Sequence, residues 1–330
     1  MTIRVTDMTS PAAVVPPQAV TRINKDVALA SVTLSGGEVA YLVDAYYRMQ
    51  NARIRAGNQR FAATRDKEPH ALLSWLHSQN ETLEDQIKRA LDKYTLSISA
   101  GQWARAQVGI GPVLCAGLVS SIDITKAPTV GHIWAFAGLD PTKVWEKGQK
   151  RPWNPRMKVL CWKAGQSFMK NAAREGCYYG RVYRTRKDLE WENNLAGKLA
   201  GQAEKLAERY GDSTDAKAWS SGRFDPEKIR ALRAAGKLSQ AESKKGLGAP
   251  GSGVAMLSPA HIDARARRYA VKLFLAHLHE VMYVDHYGTA PPLPYPIAHL
   301  QHAHYIAPPP GGEPATMDDE PHDDPRDDDA

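Results

Sequence analysis

Residues 107–118 read QVGIGPVLCAGL, and the fold turns on this stretch. Gly109 and Gly111 flank Ile110, Pro112 follows, and a run of small and apolar residues continues in a helical manner. Glycine reaches positive φ without a steric cost and lets another backbone come close, so the segment predicts a tight turn between two helices. Pro112 suits a first helical turn, where its missing N–H costs nothing. Val108 and Ile110 are placed to pin the turn into a core, and Ala116 and Gly117 permit close helix packing. The second helix begins with unsatisfied N–H groups, which favour an anion. The stretch therefore reads as a helix–hairpin–helix. Two roles stay open for it: a plain turn between packed helices, or a clamp whose backbone amides hold phosphate without reading sequence.

Outward from the turn, the helical pattern dominates and no strand alternation or fixed repeat occurs. Residues 36–97 form a predicted helical hairpin: Val39, Leu42, Val43, Tyr46, Met49 and Ile54 recur at three- and four-residue spacing, and after Pro69 so do Leu72, Leu76, Leu83, Ile87, Leu91 and Tyr94. This hairpin reads either as an oligomer-forming coiled coil or as two helices of an ordinary bundle. Residues 98–194 carry the helix–hairpin–helix and read as the compact domain. Residues 195–256 are polar and rich in Gly and Ser, and read as an insertion. Residues 257–290 hold a closing helix, with Pro259 at its start and Gly288 at its stop. Residues 1–35 and 291–330 lack periodicity and read as a disordered arm and a disordered Pro-rich, acidic tail. The fold class is mostly α.

Charge gives the first indication of a partner. The formal net charge is +7. Residues 313–330 hold nine acids and one base, and the rest of the chain holds 42 basic against 27 acidic residues, or +15. A body this basic points to a polyanion, with a merely soluble surface as the alternative. The tail reads either as a competitor for the basic body or as a solubilising segment. No run approaches ~18 apolar residues, so no membrane span is predicted. The three cysteines form no CxxC pair and the N-terminus has no secretory pattern, which suits a cytoplasmic protein.

The sequence after the turn adds specificity. GIGPVLCAGLVSSIDITKAPTVGHIWAFAGLDPTKVWEKG, residues 109–148, resembles the C-terminal domain of the insertion-sequence 110 family of transposases. The matching pieces are GIGP at 109–112, Ile122 and Asp123, AFAGLDP at 135–141, and the basic stretch 147–158. The resemblance spans residues 100–180 and implies a DNA-binding function in a mobile-element setting. The family also holds a guide RNA, so structured RNA is a second candidate partner. The family carries an N-terminal nuclease-like domain with metal-binding carboxylates, and residues before this hairpin are instead helical and arginine-rich. It also places a nucleophilic serine shortly after the G-L-x-P element, where this chain has Trp145 and Glu146. Ser120, Ser121 and Ser167 read as structural. The resemblance therefore implies a relative that keeps the DNA-holding half and lacks the strand-cleaving chemistry, with no catalytic residue, metal or cofactor. Two other readings stay open: an active recombinase using a partner or another nucleophile, and an oligomeric interaction or RNA-binding protein.

The predicted DNA contacts are Gly109, Ile110 and Gly111 at the hairpin, with Lys147, Lys150, Arg151, Arg156 and Lys158 beyond it. Basic and aromatic residues alternate through KRPWNPRMKVLCWK, residues 150–163, which suits a phosphate track; Trp162 reads as core from its spacing with Val159 and Cys161. Two further basic faces are Arg174, Arg181, Arg184, Arg186 and Lys187, and Arg265, Arg267, Arg268 and Lys272. Seven of eleven histidines lie between 261 and 304. A His-x-His on a helix points its rings about 200° apart, so a metal site is not predicted. A self-associating hairpin completes the expectation: a homo-oligomer that binds DNA.

Overall fold

The computed structural model describes residues 25–67, 70–210, 218–239, 253–293 and 305–311. The chain is mostly helical, with no strand among the described residues. Its helices are α1 (Lys25–Ala30), α2 (Gly36–Arg65), α3 (Ala71–Leu96), α4 (Ser99–Arg105), α5 (Pro112–Ser121), α6 (Val130–Phe136), α7 (Pro155–Lys170), α8 (Tyr178–Leu195), α9 (Ala200–Tyr210), α10 (Pro226–Ala234) and α11 (Pro259–Tyr287). Side-chain caps set several starts. Ser35 and Glu38 form a reciprocal capping box on α2, Asn154 Oδ1 accepts the Met157 N–H on α7, and Asp225 caps α10. Gly288 at φ +70° ends α11 in the left-handed region, which glycine enters without penalty.

Helix α5 is the axis of the main core. Eight of its ten residues, Pro112 to Val119, are buried. A helix apolar all round must be surrounded, and α2, α3, α4 and α7 enclose this one. Val39, Val43, Leu91, Trp103, Leu160, Phe168, Tyr179 and Phe274 join it in one cluster. The bases of α2 and α3 are gripped here, and the rest of that hairpin is not. Between residues 44 and 83 Ala56 is the one buried described residue, so α2 and α3 leave the body as an arm about 25 Å long.

A second, smaller core joins Trp191 and Leu195 of α8, Leu199, Ala203 of α9, Trp219, Phe224, Ile229 of α10, Met256, Leu257 and Ile262 of α11. Residues 195–256 are therefore half of a packed core and not simply a polar insertion; residues 211–217 and 240–252 lie outside the described chain. Asn194, wholly buried, closes it: its side chain donates to the Leu257 carbonyl at 3.0 Å and accepts the Leu257 N–H at 2.9 Å. Antiparallel α8 and α11 span both cores.

Both terminal expectations need correction within the described residues. Residues 25–33 are helical, and Ser31 is buried beside α3. Residues 305–311 form a strap across α4 and α11. Trp103 Nε1 donates to the Pro309 carbonyl at 3.0 Å, and His277 Nε2 meets the Ile306 carbonyl at 2.9 Å. A buried indole and a buried imidazole each need a partner, and the Pro-rich strap supplies bare carbonyls. Residues 1–24 and 312–330 lie outside the described chain.

The turn at 106–111 is held by one buried charge. Arg105, 2 % exposed, reaches Asp92 Oδ1 on α3 and the Ile110 carbonyl, each at 3.0 Å. Truncating one partner of a buried pair strands the other charge at a cost of about 3–5 kcal/mol. Arg105→Ala is expected to lower unfolding stability by that amount in urea titration, against about 1 kcal/mol for Ser167→Ala, which removes a single hydrogen bond from the same turn.

Candidate nucleic-acid interface

Gly109 behaves as the sequence requires, Gly111 is extended at φ −78°, and the hairpin is wired inward. Gly109 has φ +99°, and a Cβ there would sit 3.0 Å from Ser167 Oγ on α7. Ser167 Oγ donates to the Gly109 carbonyl at 2.6 Å. The Ile110 N–H donates to the Gln107 carbonyl at 3.0 Å, and its side chain is 2 % exposed. The Ile110 amide expected to meet phosphate is thus spent inside the turn, and Ile110 is a core pin. Gly109 and Gly111 are half-buried. The other serines are also engaged: Ser121 Oγ donates to the Gly117 carbonyl at 2.6 Å, and Ser120 Oγ to the same carbonyl at 3.5 Å.

The basic set lies elsewhere. The hairpin touches α7 at Ser167, while Arg156 and Lys158 sit near the opposite end of that helix, about 14–16 Å away along its axis. Residues 137–153 form a loop closed at its root by the Asn154 N–H donating to the Phe136 carbonyl at 2.9 Å. Its foundation is Gly138, at φ +67°, where a Cβ would lie 2.8 Å from Trp153. The glycine of AFAGLDP thus lets the Trp153 indole lie on the backbone. Lys158 Nζ stands 3.9 Å from the same ring. Trp145 donates to the Gln149 carbonyl at 2.7 Å and carries the Arg151 guanidinium 5.1 Å from its centroid. Trp134 of α6 donates to the Lys272 carbonyl and holds the Lys272 ammonium 4.2 Å from its ring. Cation–π contact orients these long side chains without neutralising them.

The charges here crowd one another. Burial, then the positive fields of Arg151 and Arg268, hold Lys158 below its ordinary value. Lys143, Lys147, Lys150 and Arg151 are exposed, and none forms an ion pair among the described residues. Arg156 differs from its neighbours: its guanidinium is tied to Asp44 on α2, so it braces α7 to the hairpin. Arg151 and Lys158 are electrostatic neighbours, Lys147 and Lys150 lie on the same loop as Arg151, and the hairpin glycines do not join them.

Part of each of the other two basic faces is internal chemistry, while Arg174, Arg181 and Arg184 are exposed. Glu190, 2 % exposed, receives Arg186 and Arg265 at 2.6 and 2.7 Å. Asp263 receives Lys187 and Arg267, and Tyr183 also donates to it. The histidines are similarly committed: Tyr179 hydroxyl meets His277 Nδ1 at 2.8 Å, and His279 Nε2 meets the Ala127 carbonyl at 2.8 Å. Burial pushes the His277 pKa down to about 4. No group of three potential metal ligands occurs among the described residues; HLQHAH, residues 299–304, lies outside them. No described helix is long and apolar enough to cross a membrane.

No family model, curated protein or solved structure matches the chain. The surface must therefore be read from its own chemistry: an exposed loop with four unpaired cations, shelved on three tryptophans, beside a helix whose sixteen residues include four bases and no acid.

The division between buried and free bases is testable. Burial opposes ionisation of Glu190, but hydrogen bonds from Arg265 and Arg186 outweigh it and hold its pKa below the ordinary 4.5; Asp263 is likewise held below 3.8 by Lys187 and Tyr183 against burial. A carboxylate with a depressed pKa stabilises the fold above its unfolded value, and that contribution disappears as pH falls through the folded one. Thermal midpoints should thus fall on acidification below the ordinary carboxylate range, and less steeply in Glu190→Gln. At neutral pH Glu190→Ala should cost about 3 kcal/mol, whereas Lys147→Gln, Lys150→Gln and Arg151→Gln should each stay within about 0.5 kcal/mol.

Proposed function

We propose that the protein binds nucleic acid, DNA first, as a relative of the C-terminal domain of insertion-sequence 110 transposases that does not cleave strands. The observation that carries this reading is the unpaired cluster Lys143, Lys147, Lys150 and Arg151 on the loop at 137–153. Unpaired cations close together in one exposed loop repel each other and gain most from a chain of phosphates. Contact would run through side chains to the backbone and so carry little sequence information. The hairpin at 106–111 serves by fixing α7, on which the loop is rooted. The resemblance puts Trp145 or Glu146 where the family has its nucleophilic serine, and neither supplies a hydroxyl for the phosphoserine-like link that strand exchange would need.

The test is duplex DNA affinity against salt. Each phosphate contact contributes about 0.9 to the log–log slope, so the triple substitution Lys147→Gln, Lys150→Gln, Arg151→Gln should reduce the slope by roughly 2–3 while leaving the fold intact. Absence of salt-dependent binding at about 50 mM salt would overturn the reading. Tighter binding of a structured RNA under the same conditions would move the partner from DNA to RNA.

The arm supports self-association. Arg53 pairs with Glu84, and Gly57 faces His77, which sets the antiparallel register of α2 and α3. Ile54 lies level with Leu83, and Phe61 level with Trp75 and Leu76. All five are exposed, Phe61 by 72 % and Leu76 by 43 %. Ile54 and Phe61 are seven residues apart, as are Leu76 and Leu83, which is the repeat of a helix seam. A second copy of the arm would cover both layers in a four-helix bundle. Phe61→Glu with Leu76→Glu is expected to convert the protein to a monomer in sedimentation, with unchanged helicity. A monomeric wild type at micromolar concentration sinks the proposal.

A further inference from the structure

The chain has eight tryptophans, and six of them have a ring partner. Trp103 stacks on Phe274, Trp191 meets Trp219, and Trp134, Trp145 and Trp153 carry cations. Of the remaining two, Trp75 belongs to the apolar seam of the arm. Trp162, on α7, is 58 % exposed, and no aromatic ring or cation among the described residues stacks on its ring. It is not a core residue. The buried face of α7 is Met157, Leu160, Cys161, Ala164, Gly165 and Phe168, and Trp162 shares the outward stripe with Lys158 and Val159, itself 52 % exposed.

The surroundings identify an occupant. Lys158 lies one turn before Trp162, its ammonium held by Trp153. Lys163 is the next residue, its ammonium held 3.9 Å from the Tyr47 ring on α2. An uncovered indole between two oriented cations, on a helix with no acid, offers a flat apolar face and phosphate partners together. A paired base has no free π-face to give; an unpaired one has.

We propose that Trp162 is a stacking platform for an unpaired nucleobase, with Lys158 and Lys163 holding the flanking phosphates. The protein would then favour single-stranded or locally opened nucleic acid over intact duplex. This rests on the nucleic-acid reading above, and the experiment separates the two. Affinities of wild type, Trp162→Ala and Trp162→Phe are measured by anisotropy for an oligothymidylate and for a duplex of equal length. Alanine should weaken single-strand binding about 5- to 100-fold, with duplex binding nearly unchanged, and phenylalanine should restore most of the loss. Equal single-strand affinity for Trp162→Ala and wild type overturns the stacking site while leaving the basic loop standing, as does binding of duplex alone. Loss of oligomeric mass in Trp162→Ala with intact single-strand affinity makes the patch a protein contact and equally overturns it. Failure of wild type to bind either polymer removes the broader reading as well.

Discussion

The buried Arg105 guanidinium is the constraint from which the rest of the body follows. It sits at the end of α4 and ties Asp92 of α3 to the Ile110 carbonyl in the turn before α5. A charge buried to this degree is tolerated because its partners are fixed, and fixing them sets the angle at which the apolar helix α5 enters the core. Once α5 is placed, Ser167 can close on Gly109 and α7 is positioned along its whole length. The loop at 137–153 then inherits its place from α7 through Asn154 and Trp153. The turn with the most suggestive sequence is thus a structural joint, and the surface it positions is some distance away.

The same distinction governs the charge. A body of +15 looks uniformly suited to a polyanion, but Glu190 and Asp263 between them occupy Arg186, Arg265, Lys187 and Arg267, and Asp44 occupies Arg156. These bases weld α8 to α11 and α7 to α2. Part of what is left over lies on the loop at 137–153, where Lys143, Lys147, Lys150 and Arg151 form no ion pair among the described residues although Asp140 and Glu146 share the loop. Net charge counts both populations alike, and only the pairing geometry separates them.

Periodicity made α2, α3 and α11 legible because their apolar residues recur at helical spacing over many turns. Pro259 and Gly288 marked the ends of α11 for reasons local to the backbone. The candidate site was legible in part: the basic stretch 147–158 stood out by composition, and the tight turn at 107–110 already implied that the Ile110 N–H is spent on Gln107, while the bonding of Arg156 depends on Asp44, 112 residues away, which no local pattern connects to it. The second core was hidden because Trp219, Phe224, Ile229 and Met256 come from separate short segments, each too polar to suggest burial. The strap at 305–311 was hidden because proline-rich sequence carries no periodicity, and its docking depends on Trp103 and His277 far away in the chain. For Trp162, the spacing to Val159 correctly places both on one face of α7. Spacing does not say which face is inside, and the second stripe, Met157 to Phe168, is the one the core took.

That second stripe bears on how the loop and the helix act together. If α7 had buried Trp162, its outward face would carry charge alone, and a phosphate backbone of any kind would satisfy it. With the indole outside, the proposed stacking site would distinguish a strand that can offer a base from one that cannot. The cations held over Trp153 and Tyr47 cannot collapse onto Trp162, because each already has a ring beneath it. The aromatic residues therefore divide in two: Trp145, Trp153, Trp134 and Tyr47 orient the bases of the protein, and Trp162 carries no such cation and is the one our proposal assigns to a base of the ligand.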